Sequence, residues 1–546
     1  CLAAGPFARN EFQSGHSCTD FLQYLRRNLL NRSCDIAVIG SGFAGSLMAM
    51  IARRLGHSVM LLERGTHPRF VIGESSTPLT NLLWEELARR YDLPALLPLA
   101  KFGSWQKEHP EIGCGLKRGF TFYHHIFDQP FDPDRENQLL VGASPHDEIA
   151  DTHWYRPDFD FFLVREAQRL GVEFKDRCEL GLLSEDAPGL ILTIKRPDEQ
   201  FELRASLVID ASGPRGFLHR ALLLPELTFA HLPFTQGLYS HFKNVRRIAD
   251  MNISLAAGAT PYPVDDAATH HVFDGGWIWV LRFNNGITSA GVAATARVAN
   301  ELNFAEGNPA WLRLLDRLPM VKEQFAGAEV QFPFVHAPRL SFRSGEIAGA
   351  GWVLLPSAVG FVDPLLSTGF PLTLLGIARL AEAIEKSWGA ELFPKRLSEY
   401  SIQTVTELSA AEQLVAALYS NMNDFSVFAA LSLLYFAAAS YSETARRLGK
   451  PELARSFLLF DDPKFGAPSR KLIQQAVRGL EERDKAEFIQ RIRRVIEPNN
   501  VAGLGDPQRR NWYPAQASDL LAAAGKLGVT RSEIEALLLR CGFTGP

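Results

Sequence analysis

Between Asp35 and Glu63 the chain runs through a short apolar segment, a glycine-rich turn, an apolar stretch of helix length and a second apolar segment. The turn reads Gly40-Ser-Gly42-Phe-Ala44-Gly45, and each glycine has its own physical reason. Gly40 permits the tight turn, Gly42 lets a backbone approach a pyrophosphate, and Gly45 lets helix and strand pack closely. The amides that open the following helix then face the phosphates. Glu63 ends the second segment, where a carboxylate accepts hydrogen bonds from an adenosine ribose. Strand, turn, helix, strand and terminal acid together predict a dinucleotide-binding βαβ unit, with Ala44 inside the turn that lies against the ligand.

The segments that follow favour FAD over NAD. Arg64 leads into Gly73-Glu74-Ser75-Ser-Thr-Pro78, a loop whose carboxylate and hydroxyls suit hydrogen bonding to a flavin and whose proline starts a helix. Trp154 to Asp160, containing Arg156, and Val208 to Pro214, containing Asp210, are two further landmarks. No second glycine fingerprint for NADPH is present.

Composition narrows the class. At 546 residues the chain is long enough for more than one core. A net charge of −4 gives no basic excess for nucleic acid or an anionic membrane surface. Six scattered cysteines form no CxxC pair and no metal-binding spacing, which predicts a reducing, cytoplasmic setting and no metal. Residues 1–33 lack the pattern of a secretory leader, and Phe21 to Arg32 reads as a short helix. Phe425 to Ser442 carries no charge over 18 residues, the lower edge for a membrane span, but six serines and tyrosines interrupt it. A buried core helix is expected there instead.

The period of the apolar residues changes along the chain. From about 222 to 345, short alternating runs such as Gly237 to Phe242 and Trp277 to Leu281 suggest an antiparallel sheet. After Pro371, expected at the first position of a helix, helical periodicity dominates, with Leu397 to Tyr419 and Arg470 to Ile496 as long examples. Thr530-Arg-Ser-Glu533 is a capping box.

Several of these motifs together resemble the flavin-dependent halogenases, a branch of the FAD monooxygenase superfamily. They are the fingerprint, Gly73 to Pro78, the Leu116-Lys117-Arg118-Gly119-Phe120 segment, Phe273 to Leu281 with its alternating Trp277 and Trp279, and Phe361-Val-Asp363-Pro364-Leu-Leu366-Ser367-Thr368-Gly369. The last matches the family pattern FxxPxxSxG at every fixed position, and the pyrrole and phenol branch is the nearest in wording. The resemblance implies an α/β chain, α+β overall: a Rossmann-like FAD-binding domain with an inserted antiparallel, substrate-side sheet and a helical C-terminal region. Its expected division is an extension at 1–33, a monooxygenase-type domain at 34–395 and helices at 396–546.

The implied chemistry uses FADH2 from a separate flavin reductase, oxygen, and chloride or bromide. Hypohalous acid crosses the protein to Lys117, which activates the halogen for attack on a small electron-rich ring, free or tethered to a carrier protein. Cofactor contacts are expected from Gly40, Gly42, Ala44, Gly45, Glu63, Arg64, Glu74, Ser75, Arg156, Asp210, Asp363 and Gly369. Ser367, Thr368 and Gly369 would hold halide, and Trp277, Trp279 and Pro364 would lie beside the flavin. Leu366 stands where tryptophan-directed members carry a glutamate, which points to a phenol or pyrrole; Glu74, Asp128, His124 and His125 are the candidate bases. Arg282 replaces the proline that closes the family's WxWxIP motif. That substitution keeps an aromatic hydroxylase or oxidase of the same fold in consideration, and a catalytically silent flavoprotein is a third alternative.

Overall fold

The computed structural model describes residues 30–185, 189–251 and 258–543. Its central strand, Leu30–Ile39, pairs in parallel with Val59–Leu62 on one side and Gln200–Asp210 on the other. Glu173–Lys175 extends the set beyond the former and Trp352–Leu354 beyond the latter. Ile39 is in register with both Leu62 and Asp210, and Asp210 with Leu354. The strands therefore end along one edge, where open parallel sheets bind ligands. Leu30 to Arg32, expected in a helix, belong to the central strand. They pair with Phe201 to Leu203, and the Arg32 guanidinium stacks 4.3 Å from the Phe201 ring while bonding Glu173 and Glu199. The rest of the expected helix lies outside the described residues, as do residues 1–29 of the extension.

The antiparallel sheet is larger than the sequence suggested. Thr235–Lys243, Thr288–Thr295, Gly276–Arg282 and Ala268–Phe273 form its middle, as expected. Gly119–His124 joins it in parallel beside Ala268–Phe273, followed by Gln138–Gly142 and the C-terminal pair Trp512–Tyr513. Alternation along Gly276–Arg282 separates two cores. Trp277, Trp279 and Leu281 face the main core, whereas Ile278 and Val280 pack with Phe242 and Trp311 on the other side.

Three long helices, Gly369–Ser387, Phe393–Ser420 and Phe425–Arg447, pack against one another in sequence. The third is the one described helix long and apolar enough to cross a membrane, but 83% of its apolar stretch is buried inside the protein, as a core helix requires. Helix Gly369–Ser387 begins two residues before Pro371, so that proline occupies the third helical position rather than the first; its missing N–H is still one of the unpaired donors of a first turn. The stretch from Arg470 to Ile496 divides into Gly466–Arg478 and Lys485–Ile496, broken at Gly479, whose φ of 100° ends the first helix. The capping box at Thr530 is present. One apolar core runs from Ile36 to Leu538, so residues 396–546 share the core of the nucleotide-binding unit.

Candidate functional site

The turn after the central strand has the geometry its glycines foretell. Gly40 has φ of 95°, and a methyl group at Gly45 would lie 1.9 Å from the Gly40 carbonyl oxygen. Helix Phe43–Arg54 thus sits against the strand, with its N-terminus at the mouth of a cavity of about 940 Å³. Gly40, Gly42, Ala44, Glu63, Arg64 and Arg156 line this cavity around that helix N-terminus, and Glu74, Ser75, Trp277, Trp279, Asp363, Pro364, Ser367, Thr368 and Gly369 line it as well. Two expected contacts are not in the lining. Gly45 acts through packing, and the buried Asp210 carboxylate accepts from the amides of Ser212 and Leu218, which shapes the 211–217 loop against the cavity.

Glu63 accepts from the amide (3.0 Å) and hydroxyl (2.9 Å) of Ser41 and from the Gly65 amide (2.9 Å). Burial alone would raise its pKa; Arg69, 3.3 Å away, and these donors outweigh burial and hold the carboxyl below its usual range. Arg156 is gripped by Asp160 through two 2.8 Å bonds and donates to the Gly73 carbonyl, tying the 73–78 loop to helix Arg156–Arg169. Arg156 and Arg69 both approach Gly42, so two guanidiniums and a helix N-terminus surround the place expected for phosphates. Arg69 was given no role from the sequence, because nothing in a Pro-Arg-Phe triplet shows that the loop folds back.

Further along the chain, Leu366 and Ser367 both have positive φ, 63° and 54°, just before helix Gly369–Ser387. Two consecutive non-glycine residues in this region store strain, a feature that clusters at functional sites. The twist presents Thr368, Gly369 and the first-turn amides of a 19-residue helix to the cavity. Asp363 is anchored behind this turn, accepting from the Trp277 indole (3.2 Å), the Leu365 amide (3.0 Å) and the Tyr419 hydroxyl (2.9 Å). Burial raises its pKa to about 6. Tyr419, unnoticed in the sequence, thereby fixes Trp277. Trp279 has room because Gly291 lies beneath its ring.

Lys117 ends strand Cys114–Lys117 and is fully buried. Its ammonium donates to the Ser75 hydroxyl (2.8 Å) and the Ser76 carbonyl (2.5 Å) and lies 3.8 Å from the centre of the Phe120 ring. Ser75 lines the large cavity, whereas Phe120 lines a second one of about 160 Å³. Lys117 lines neither cavity but touches a residue of each. Beside it, His270 lines the large cavity and stacks 4.3 Å from Phe122.

Opposite Lys117 on strand Asp151–Trp154 is Asp151, also buried, which lines the small cavity. Its Oδ1 accepts from Asn81 at 2.8 Å, and its Oδ2 has no partner among the described residues. Burial lowers the pKa of Lys117 and raises that of Asp151, and each partner's charge opposes the other's shift. Asp151 is absent from the bases inferred from the sequence, and those bases are elsewhere. Glu74 bonds His241 at 2.8 Å on the large cavity, and Asp128 is an ion pair with Arg317. His124 stacks on Phe425, and His125 bonds His271 at 3.0 Å. Burial lowers the pKa of both histidines. Among the described residues no cluster is arranged to hold a metal.

Arg282 does not distort the sheet. Its strand stays in register through Thr288, and its side chain bonds Asp265 (3.2 Å) and the Val245 (2.8 Å) and Arg246 carbonyls.

Comparison with known proteins places these features in context. The tryptophan halogenase family model matches residues 152–428. The chain is 29% identical over 409 residues to monodechloroaminopyrrolnitrin halogenase PrnC of Pseudomonas fluorescens, covering 73% of this chain and 70% of that one. It is 29% identical over 349 residues to tetracycline 7-halogenase of Kitasatospora aureofaciens, covering 63% of this chain and 62% of that enzyme's length. A singly substituted form of halogenase PltM, crystallised in complex with FAD, superposes with a TM-score of 0.75 at 25% identity, over 85% of this chain and 96% of that one.

Proposed function

The chain belongs to the tryptophan halogenase family, and from that premise we propose that it halogenates a single electron-rich ring of the phenol or pyrrole type, using hypohalous acid that Lys117 passes from the large cavity to the small one. The protein is a flavin-dependent halogenase, an oxidoreductase that binds FAD and takes halide as co-substrate. The observation that carries the finer reading is the position of Lys117, bonded to a residue of one cavity and stacked on a residue of the other.

The large cavity fits FAD. Gly40 and Gly42 leave the backbone bare where a pyrophosphate approaches, and the first-turn amides of Phe43–Arg54 with Arg69 and Arg156 supply positive charge. Glu63 would accept from an adenosine ribose, and Glu74, Ser75, Asp363 and Pro364 would border the ring system. FAD reduced by a separate flavin reductase would supply there the electrons for making hypohalous acid from oxygen and halide. Ser367, Thr368 and Gly369 hold halide at a helix N-terminus, where the dipole favours an anion. Lys117 hydrogen-bonds the acid's oxygen and polarises its bond to halogen.

The small cavity sets the size of the substrate. A cavity of roughly 150 Å³ holds one benzene ring, and this one measures about 160 Å³ and is bordered by Phe120, Tyr435 and Phe436. Because Arg282 is a clamp at the end of its strand, the residue that kept a hydroxylase in consideration lends that reading no support.

The test combines the protein with a flavin reductase, bromide or chloride, and a panel of phenols and pyrroles, and reads products by mass. Halogenated product is expected, with Lys117→Ala abolishing it while flavin reoxidation continues. An oxygenated product without halogen, product unchanged in Lys117→Ala, or no product from any ring would each overturn the proposal.

A further inference from the structure

We propose that Asp151 is the base that removes the ring proton when halogen is installed, so that one cross-strand pair delivers the halogen and collects the proton. The inference rests on the halogenase reading above. Asp151 borders the small cavity, and its buried Oδ2 has no hydrogen-bond partner among the described residues, a state that most buried polar atoms avoid. Asn81, held on helix Pro78–Arg90, engages Oδ1 and leaves Oδ2 for a ligand. The other carboxylate at this cavity, Glu443, is already bonded by Arg447 at 2.8 Å. Leu366, buried beside the halide turn, offers no carboxylate.

The step balances. The ring's π electrons attack the halogen, the carbon–halogen bond forms and the oxygen–halogen bond breaks. The departing oxygen takes a proton from the Lys117 ammonium and leaves as water. The electrons of the ring C–H bond return to the π system and its proton passes to Asp151 Oδ2. Asp151 then returns that proton to the neutral Lys117 amine, and the pair is reset. Burial moves both groups toward neutrality, which brings their proton affinities together and eases the return. The charged groups facing Asp151 are Lys117, Glu443 and Arg447, with Lys101 also on the cavity.

The test uses the FAD-loaded enzyme with reductase, bromide, and phenol or ring-deuterated phenol. Bromophenol formation, hypobromous acid trapped by a scavenger in solution, and FAD binding are each read separately. Asp151→Asn is expected to lower the turnover of phenol about 10²- to 10⁴-fold while hypobromous acid still reaches the scavenger. A ring-deuterium isotope effect should appear that the unaltered enzyme lacks, and the acid limb of the pH profile should vanish. Asp151→Glu should recover part of the rate and of that limb. An Asp151→Asn enzyme that binds FAD, brominates phenol within about threefold of normal and shows no isotope effect would overturn the assignment. If Asp151→Asn fails to fold, an Asp151→Glu enzyme with an unshifted acid limb does the same. Absence of trapped hypobromous acid from the unaltered enzyme would instead overturn the halogenase reading itself.

Discussion

Gly45→Ala gives a sharp test of how the nucleotide turn works. The added methyl would lie 1.9 Å from the Gly40 carbonyl oxygen and 3.1 Å from the Ala211 side chain. Reaching ordinary contact at 3.4 Å demands that the helix N-terminus and the Gly40 turn separate by about 1.5 Å. The Gly40 carbonyl is backbone at the end of the central strand and the Ala211 methyl is fixed to its backbone, so neither yields as a flexible side chain would. Overpacking of this kind costs about 1–3 kcal/mol in stability. The larger effect falls on FAD. Moving the first-turn amides of Phe43–Arg54 by that distance takes them out of hydrogen-bond range of a phosphate. Losing two charge-assisted bonds at roughly 1.5–3 kcal/mol each weakens FAD by about 10²- to 10⁴-fold. Fluorescence titration of FAD into apoprotein measures this directly, with Gly525→Ala as the control, since nothing lies within 4 Å of that position. A Gly45→Ala protein that binds FAD within threefold of the unaltered chain would refute the close-packing argument.

Other perturbations probe the parts around the cavity. Arg282→Pro, which restores the family's motif residue, breaks a largely buried ion pair with Asp265 and is expected to cost roughly 3–5 kcal/mol by thermal or urea melting, while the product remains halogenated. Gly291→Ala would place a methyl 2.4 Å from the Trp279 ring and should move that ring into the flavin cavity, visible as altered flavin fluorescence and weaker FAD binding. His271 is held near pKa 4 by burial, against 6.5 for the free side chain. The unfolded chain therefore binds more protons between those values, and stability falls as pH drops through that window. Melting curves across pH 4 to 7 should show His271→Gln flattening the loss by about 3 kcal/mol. Asp363 has the opposite sign: with its pKa raised to about 6, its contribution is fully present below pH 3.8 and is lost as pH rises through 6. The melting temperature of Asp363→Asn relative to the unaltered chain should accordingly rise over that interval.

What the sequence made legible, and what it hid, follows the range of the forces involved. Gly40 to Gly45 and Glu63 were readable because their constraints act within 24 residues: a turn, a helix start and a neighbouring strand. Thr530 to Glu533 was readable for the same reason. The turn at Leu366 and Ser367, proposed to hold halide, was readable only as a motif, since its paired positive φ values leave no mark in residue types that seldom adopt them. The strands Gly119–His124 and Gln138–Gly142 pair with each other, but their place in the larger sheet was hidden because it is set by partners some 150 and 370 residues away in Ala268–Phe273 and Trp512–Tyr513. Asp151 was hidden in the same manner. In sequence it is one acid in a polar stretch; only the antiparallel register of Cys114–Lys117 with Asp151–Trp154 sets it opposite Lys117. A buried lysine alone would hold an electrophile but strand the proton that substitution releases. Register sets a carboxylate opposite it, and in the proposed mechanism the Asp151 Oδ2, which has no partner among the described residues, takes up that proton.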